Sequence, residues 1–160
     1  MGVSTATAAT IRALSPFNIS VAAYAGYMSI ATKPLIDAFL GVNVHPADLS
    51  ITNTEGTRKY VGDHAVMDAI LAGEKYICST THIMRERVDY GEILMISKPM
   101  EVILDSDFDK NNPDSVKKAE KSNQSRLKEA GDWEIFPKTI LDISQGRYAI
   151  DTSRNVYYII

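Results

Sequence analysis

Residues 18–46 read NISVAAYAGYMSIATKPLIDAFLGVNVHP, and this stretch decides the fold. Its first part, residues 18–25, is apolar on both faces of an extended chain, the pattern of a buried strand. After Gly26, the segment Lys33 to Phe39 has helical spacing with Pro34 near its first turn. Gly41 is placed to close that helix, and Val42 to His45 forms a second short strand stopped by Pro46. Strand, helix and strand in this order predict an α/β chain with an open sheet. Asn43 and His45 are two residues apart at the end of the second strand, so their side chains leave the same face. In open α/β sheets ligands sit beyond the carboxyl ends of the strands. An amide beside an imidazole there can polarise a carbonyl and move a proton, or simply cap the turn before Pro46.

Outward from this unit, residues 4–14 have helix-compatible composition and end at Ser15-Pro16. Ser50 to Gly62 is polar and contains two glycines, so it reads as a loop. His64 to Ala72 shows helical spacing with Gly73 as its stop. Two further strands are expected over Ile77 to Met84 and Ile93 to Lys98, separated by the charged loop Arg85 to Glu92. Asn112-Pro113-Asp114 is a helix start, with a helix expected through Val116 and Leu127 to Gly131. From Trp133 onward a last short helix is followed by a β-hairpin, Arg147 to Asp151 and Val156 to Ile160, around the turn residues 152–155. The expected organisation is a single domain over 1–160. It has an N-terminal helical arm to residue 17, a core over 18–100 and C-terminal helices with the hairpin over 101–160.

Composition narrows the class. The chain has 160 residues, 17 Lys and Arg against 20 Asp and Glu, three His and one Cys. At this length a domain buries about 70% of its unfolded surface and needs no cross-links. Cys78 has no partner in the chain, which removes a disulfide scaffold and a thiolate zinc site, and no metal site is expected. A net charge of −3 argues against nucleic acid as the main partner. The run Ile19 to Gly26 is far shorter than the ~20 apolar residues a membrane span takes. No acidic residue precedes Asp37, as in a transit peptide, but the N-terminus has a single arginine, Arg12, too few for one, and Ala6 breaks the myristoylation pattern. The expected location is cytoplasmic.

Taken in order, the segments Tyr24-Ala25-Gly26-Tyr27-Met28, Asn43-Val44-His45-Pro46 and Ala69-Ile70-Leu71-Ala72-Gly73-Glu74 are followed by Thr81-His82 and Val88-Asp89-Tyr90-Gly91-Glu92-Ile93-Leu94. This succession resembles the formyltransferase family that uses N10-formyltetrahydrofolate, most closely its glycinamide ribonucleotide (phosphoribosylglycinamide) branch. The likeness extends over about residues 18–150, with Ile135-Phe136-Pro137 and Gly146-Arg147 near the family's C-terminal helix. It implies a Rossmann-like α/β sheet, N10-formyltetrahydrofolate as co-substrate and a small amine as acceptor.

The resemblance also implies site residues. Asn43, His45 and Asp89 match the family's catalytic group. In that chemistry an amine attacks the formyl carbon, and an oxyanion develops on the tetrahedral intermediate. Asn43 and a protonated His45 would stabilise it, an effect of about 2.7–4 kcal/mol per donor. Asp89 would hold the charge or tautomer of His45 and relay protons through water. Tyr27, Met28 and Ile30, with Arg87, Val88, Asp89 and Tyr90, match the segments that cradle the pterin, largely through backbone groups. His82 matches a histidine of the family, with a structural role preferred here. His64 stands open between the acceptor side and a helix cap.

Two departures from the family pattern carry their own expectations. Residues 1–17 hold none of the βα units that supply the acceptor's phosphate cradle, so the chain reads as the C-terminal portion of the usual domain. A homo-oligomer or a missing N-terminal segment is the partner this predicts. The 50–62 loop is longer than usual, and its Arg58 and Lys59 either contact an anionic substrate or form ordinary solvated surface. Alternatives to the small-amine transferase are a non-catalytic or incomplete folate-binding module, a formyl-folate hydrolase and an amino-sugar formyltransferase. A formyltransferase acting on transfer RNA does not fit, for want of a C-terminal barrel.

Overall fold

A computed structural model describes residues 5–26 and 31–160. The central sheet has four strands, β1 (Ala22–Tyr24), β2 (Gly41–His45), β4 (Thr80–Ile83) and β5 (Ile93–Ile96), in the order β1-β2-β4-β5. β1 and β2 run parallel, joined through α2 (Lys33–Ala38). β4 and β5 are each antiparallel to their inner neighbour, with a bulge between Thr81 and His82. The α/β open sheet is therefore mixed, and it ends as expected in a helix and a hairpin.

β1 departs from the expectation for residues 18–25. It spans three residues rather than eight and sits at the sheet edge with Ala23 exposed. Tyr24 alone of its side chains is fully covered, against Ala31 and Leu35. Runs of alanine and serine have too little apolar area to demand cover on both faces. Gly41 is the first residue of β2 rather than the end of α2, whose C-cap is the extended Phe39. A Cβ at Gly41 would stand 2.7 Å from the Tyr24 ring, so close packing keeps glycine there.

The expected strand over Ile77 to Met84 is two strands. β3 (Tyr76–Ile77) pairs with β6 (Met100–Glu101) in a small separate sheet, whereas β4 lies inside the main one. The larger core packs α3 (Ala65–Leu71) against α4 (Pro113–Leu127) through Val66, Ala69, Ile70, Ala119 and Leu127. Asn112 caps α4, its side chain accepting the amides of Asp114 and Ser115 at 3.0 and 3.3 Å.

Gly131 does not stop the helix. A π turn over Lys128–Asp132 carries the chain directly into α5 (Trp133–Ser144). A Cβ on Gly131 would lie 2.4 Å from the Ser79 hydroxyl, which itself donates to Asp132 at 2.5 Å. Glycine is selected there for the contact of helix with sheet rather than for a left-handed turn.

α5 lies on the face of the sheet that carries Thr81, whose hydroxyl meets that of Thr139 at 2.8 Å. Its buried Asp142 binds Arg147 at 3.2 Å and the Tyr158 hydroxyl at 3.0 Å. This contact docks the hairpin β7 (Tyr148–Ile150) and β8 (Val156–Tyr158) onto α5. Among the described residues no helix is long and apolar enough to cross a membrane.

Candidate active site

β2 and β4 put the site on the face of the sheet opposite α5. Asn43 pairs with His82 and His45 with Thr80 across the two strands, and alternation sends these four side chains to one side. The Thr80 hydroxyl donates to the Ala47 carbonyl at 2.6 Å and accepts the Leu49 amide at 3.2 Å. These bonds turn the chain sharply after His45-Pro46.

Asp89 arrives from the connection between β4 and β5. The neck of that loop is closed by Arg85 and Glu92, paired at 2.9 and 3.0 Å. Glu92 also takes a hydrogen bond from Arg154 in the hairpin turn. Burial works against its charge, yet the two guanidiniums hold its carboxyl down at about 2. At the tip, Asp89 adopts φ 57°, the left-handed region that short polar side chains tolerate best after glycine. Gly91 passes so near the Ile83 carbonyl that a Cβ would stand 1.6 Å from its oxygen.

The result is a buried trio. One Asp89 carboxylate oxygen lies 3.4 Å from His45 Nδ1 and accepts the Gly62 amide at 2.7 Å. The other lies 3.4 Å from His82 Nε2. All three side chains are nearly inaccessible, at 5%, 6% and 2% exposure for His45, Asp89 and His82. The far nitrogen of each ring is also engaged. His45 Nε2–H donates to the Tyr60 carbonyl and His82 Nδ1–H to the Ile83 carbonyl, both at 3.0 Å.

Proton accounting follows from those partners. A carbonyl only accepts, so each ring spends one N–H on backbone. With both rings neutral, the nitrogens facing Asp89 bear lone pairs. Separations of 3.4 Å suit that state, being longer than the 2.7–2.9 Å usual for charge-assisted bonds. One further proton would turn either contact into an attraction. Burial lowers the pKa of His45, with the Asp89 charge opposing it. Burial also disfavours the Asp89 carboxylate, but the two histidines and the Gly62 amide outweigh it and hold its pKa below the usual range. The trio is thus a carboxylate between two bases with room for one mobile proton.

Asn43, His45 and Asp89, singled out from sequence, share this locality; Asn43 is half-buried beside His82. Arg87 and Val88 are exposed on the same loop, and the Arg87 guanidinium stacks 3.4 Å from the centre of the Tyr90 ring. Tyr27, Met28 and Ile30 lie outside the described residues. His64 is 69% exposed, its ring 3.9 Å from Glu120 on α4, and its side chain does not cap α3. Lys59 is exposed and bound to Glu74 at 3.2 Å. Sequence reasoning missed the Tyr60 carbonyl and the Gly62 amide, and it placed Arg58 at an anionic substrate or in solvent rather than on the Asp89 loop. The first two act through backbone, where side-chain identity leaves no signal.

Comparison with known proteins follows the same line. A model of the formyl transferase family matches residues 3–126. The chain is 28% identical over 137 residues to phosphoribosylglycinamide formyltransferase of Haemophilus influenzae, covering 84% of this chain and 54% of that one. The crystal structure of phosphoribosylglycinamide formyltransferase from Anaplasma phagocytophilum superposes with a TM-score of 0.70 at 21% identity, over 94% of this chain and 63% of that one. A formyltetrahydrofolate deformylase from Pseudomonas syringae pv. tomato has the same fold, with a TM-score of 0.68 at 19% identity over 98% of this chain and 46% of that one. The chain therefore spans about half the length of its Haemophilus relative.

Proposed function

We propose a function that starts from one fact: this chain belongs to the formyl transferase family. The reading is transfer of a formyl group from N10-formyltetrahydrofolate to a small amine resembling glycinamide ribonucleotide. The name of the Haemophilus relative supports that acceptor.

One observation carries the reading. The His45 ring is stretched between a carboxylate and a carbonyl oxygen, with its Nε2–H already donating to the Tyr60 carbonyl at 3.0 Å. A formyl oxygen is the same kind of acceptor, so the donor set present fits it. Arg87 and Val88, exposed on the Asp89 loop, fit a pterin lying along it. Bound there, the folate supplies the formyl group and a nitrogen to receive a proton.

The chain's own residues do the rest. His45 donates from Nε2 to the formyl oxygen as the amine adds and negative charge grows on it. The Tyr60 segment withdraws to admit that oxygen, because His45 is nearly inaccessible while it is in place. Asn43, whose amide no described residue engages, adds a second donor from the same face of β2. Asp89 stabilises His45 when its ring carries the extra proton, and relays through water the proton the amine loses to the folate nitrogen that leaves as its bond to the formyl carbon breaks. His82 packs 3.4 Å from the second Asp89 oxygen, keeps water from it and so acts as a positioning residue.

The edge of β1 supports a further partner. Among the described residues it has a neighbour on one side only, and Ala23 stands exposed. A second copy or a preceding segment completes the sheet there and supplies the contacts for the acceptor's phosphate. A transferase of this kind, like its phosphoribosylglycinamide formyltransferase relative, is placed in the cytoplasm by the same proposal.

The test is a product assay with N10-formyltetrahydrofolate and glycinamide ribonucleotide, read by mass spectrometry, with the assembly state recorded by sedimentation. The expected product is the N-formylated acceptor, one per folate consumed. Formate in its place would make the protein a hydrolase, and no consumption in any assembled state would leave a folate-binding module.

A further inference from the structure

Arg58 neither reaches for a substrate nor lies solvated on the surface. Its guanidinium is half-buried and turned back onto the Asp89 loop, 31 residues further along the chain. Nη1 donates to the Asp89 carbonyl, and Nη2 donates to the Gly91 carbonyl at 3.0 Å. The guanidinium lies 5.5 Å from the centre of the Tyr90 ring between those two carbonyls, and Arg87 stacks on the same ring. We propose that Arg58 is the positioning residue for Asp89, a fork from the 50–62 loop that fixes the direction in which the carboxylate meets His45 and His82. The functional meaning of this inference rests on the reading of His45 and Asp89 as catalytic; the geometry does not.

The physical need is specific. Asp89 sits at φ 57°, a conformation that a non-glycine residue keeps only when its surroundings enforce it. The Gly62 amide holds one carboxylate oxygen, but that bond restrains the side chain and not the peptide planes that follow Asp89 and Gly91. The guanidinium does restrain them, since its planar array of N–H groups engages two carbonyls at once. A lysine carries the same charge on a single nitrogen and has no such fork.

The loop is built to deliver this group. Thr52 and Arg58 bridge as a small antiparallel pair, with Asn53 accepting from Thr57 and Lys59 donating to the Ile51 carbonyl. The length of the loop, read from sequence as a departure, is what lets a side chain from beside Tyr60 cross to the Asp89 turn.

The experiment is a histidine-ring NMR titration of this 160-residue chain and of its R58A and R58K variants. The groups facing His45 are Asp89, His82 and Arg58 with the Tyr60 carbonyl, and those facing Asp89 are the two histidines with the Gly62 amide; Tyr90 and Glu92 face Arg58. The sign of the change separates two roles. If Arg58 were only a nearby positive charge, its removal would raise the pKa of His45 and R58K would titrate like wild type. If Arg58 aims the carboxylate, losing the fork lets Asp89 turn away and His45 loses its anionic neighbour. The predicted result is a fall of about half a pH unit or more in both variants. An upward shift in R58A, an unchanged titration in R58K, or loss of the fold in both variants overturns the proposal. No folate or acceptor is needed, so a failure of formyl transfer would be seen separately.

Discussion

His45 shows how little of a site's energetics resides in the residue named from sequence. The imidazole and its exit face were legible, because strand alternation and Pro46 fix where the side chain goes. The shift in its basicity was not, since it comes from burial beneath Tyr60 and is only partly offset by Asp89, which lies 44 positions away in the chain. The sign of the resulting pH dependence follows. Folding lowers the pKa of His45 below the free-histidine value near 6.5, so in that range the unfolded chain binds the proton more readily. Stability from this group is complete above about pH 6.5 and is lost as pH falls towards the folded-state value. Urea unfolding of wild type and H45Q at about pH 7.5 and pH 5.5 checks it. Wild type should lose stability over that interval, and H45Q should lose distinctly less; equal losses would show that His45 is not the group responsible.

At the level of elements, punctuation was easier to read than packing. Asn112-Pro113 marked the start of α4 because the cap and the proline act locally. Gly73 marked the end of α3 for the same reason, with φ +80°. Gly131 misled, because its requirement comes from Ser79 on a distant strand rather than from its own backbone. The same holds for Gly41 beneath the Tyr24 ring. The expected eight-residue strand shrank to β1 because alanine and serine fit an edge as readily as a core. These contacts make a definite prediction. G131A forces a methyl group into the Ser79 hydroxyl and distorts the π turn, costing about 1–3 kcal/mol of stability. Thermal unfolding measures it; a midpoint equal to wild type would show that α5 gives way without cost.

Across the whole molecule, three connections converge on one loop. Arg154 ties the C-terminal hairpin to Glu92, Arg58 ties the 50–62 loop to Asp89 and Gly91, and β4 presents His82 beneath them. The fold thus commits distant parts of the chain to holding one carboxylate between two imidazoles. Which side chains to propose for the site came from the order of short motifs; how they are held required the mixed sheet, whose antiparallel β4 brings His82 alongside Asn43. The most direct measurement is the turnover of D89N beside wild type in the formyl-transfer assay, with thermal unfolding of both. Asparagine has the shape of aspartate and accepts the left-handed conformation, but lacks the charge that balances His45. The account predicts a fall in kcat of about 10²–10⁴-fold with the unfolding midpoint nearly unchanged. Wild-type turnover in D89N, or a loss of activity that only tracks loss of the fold, would contradict it.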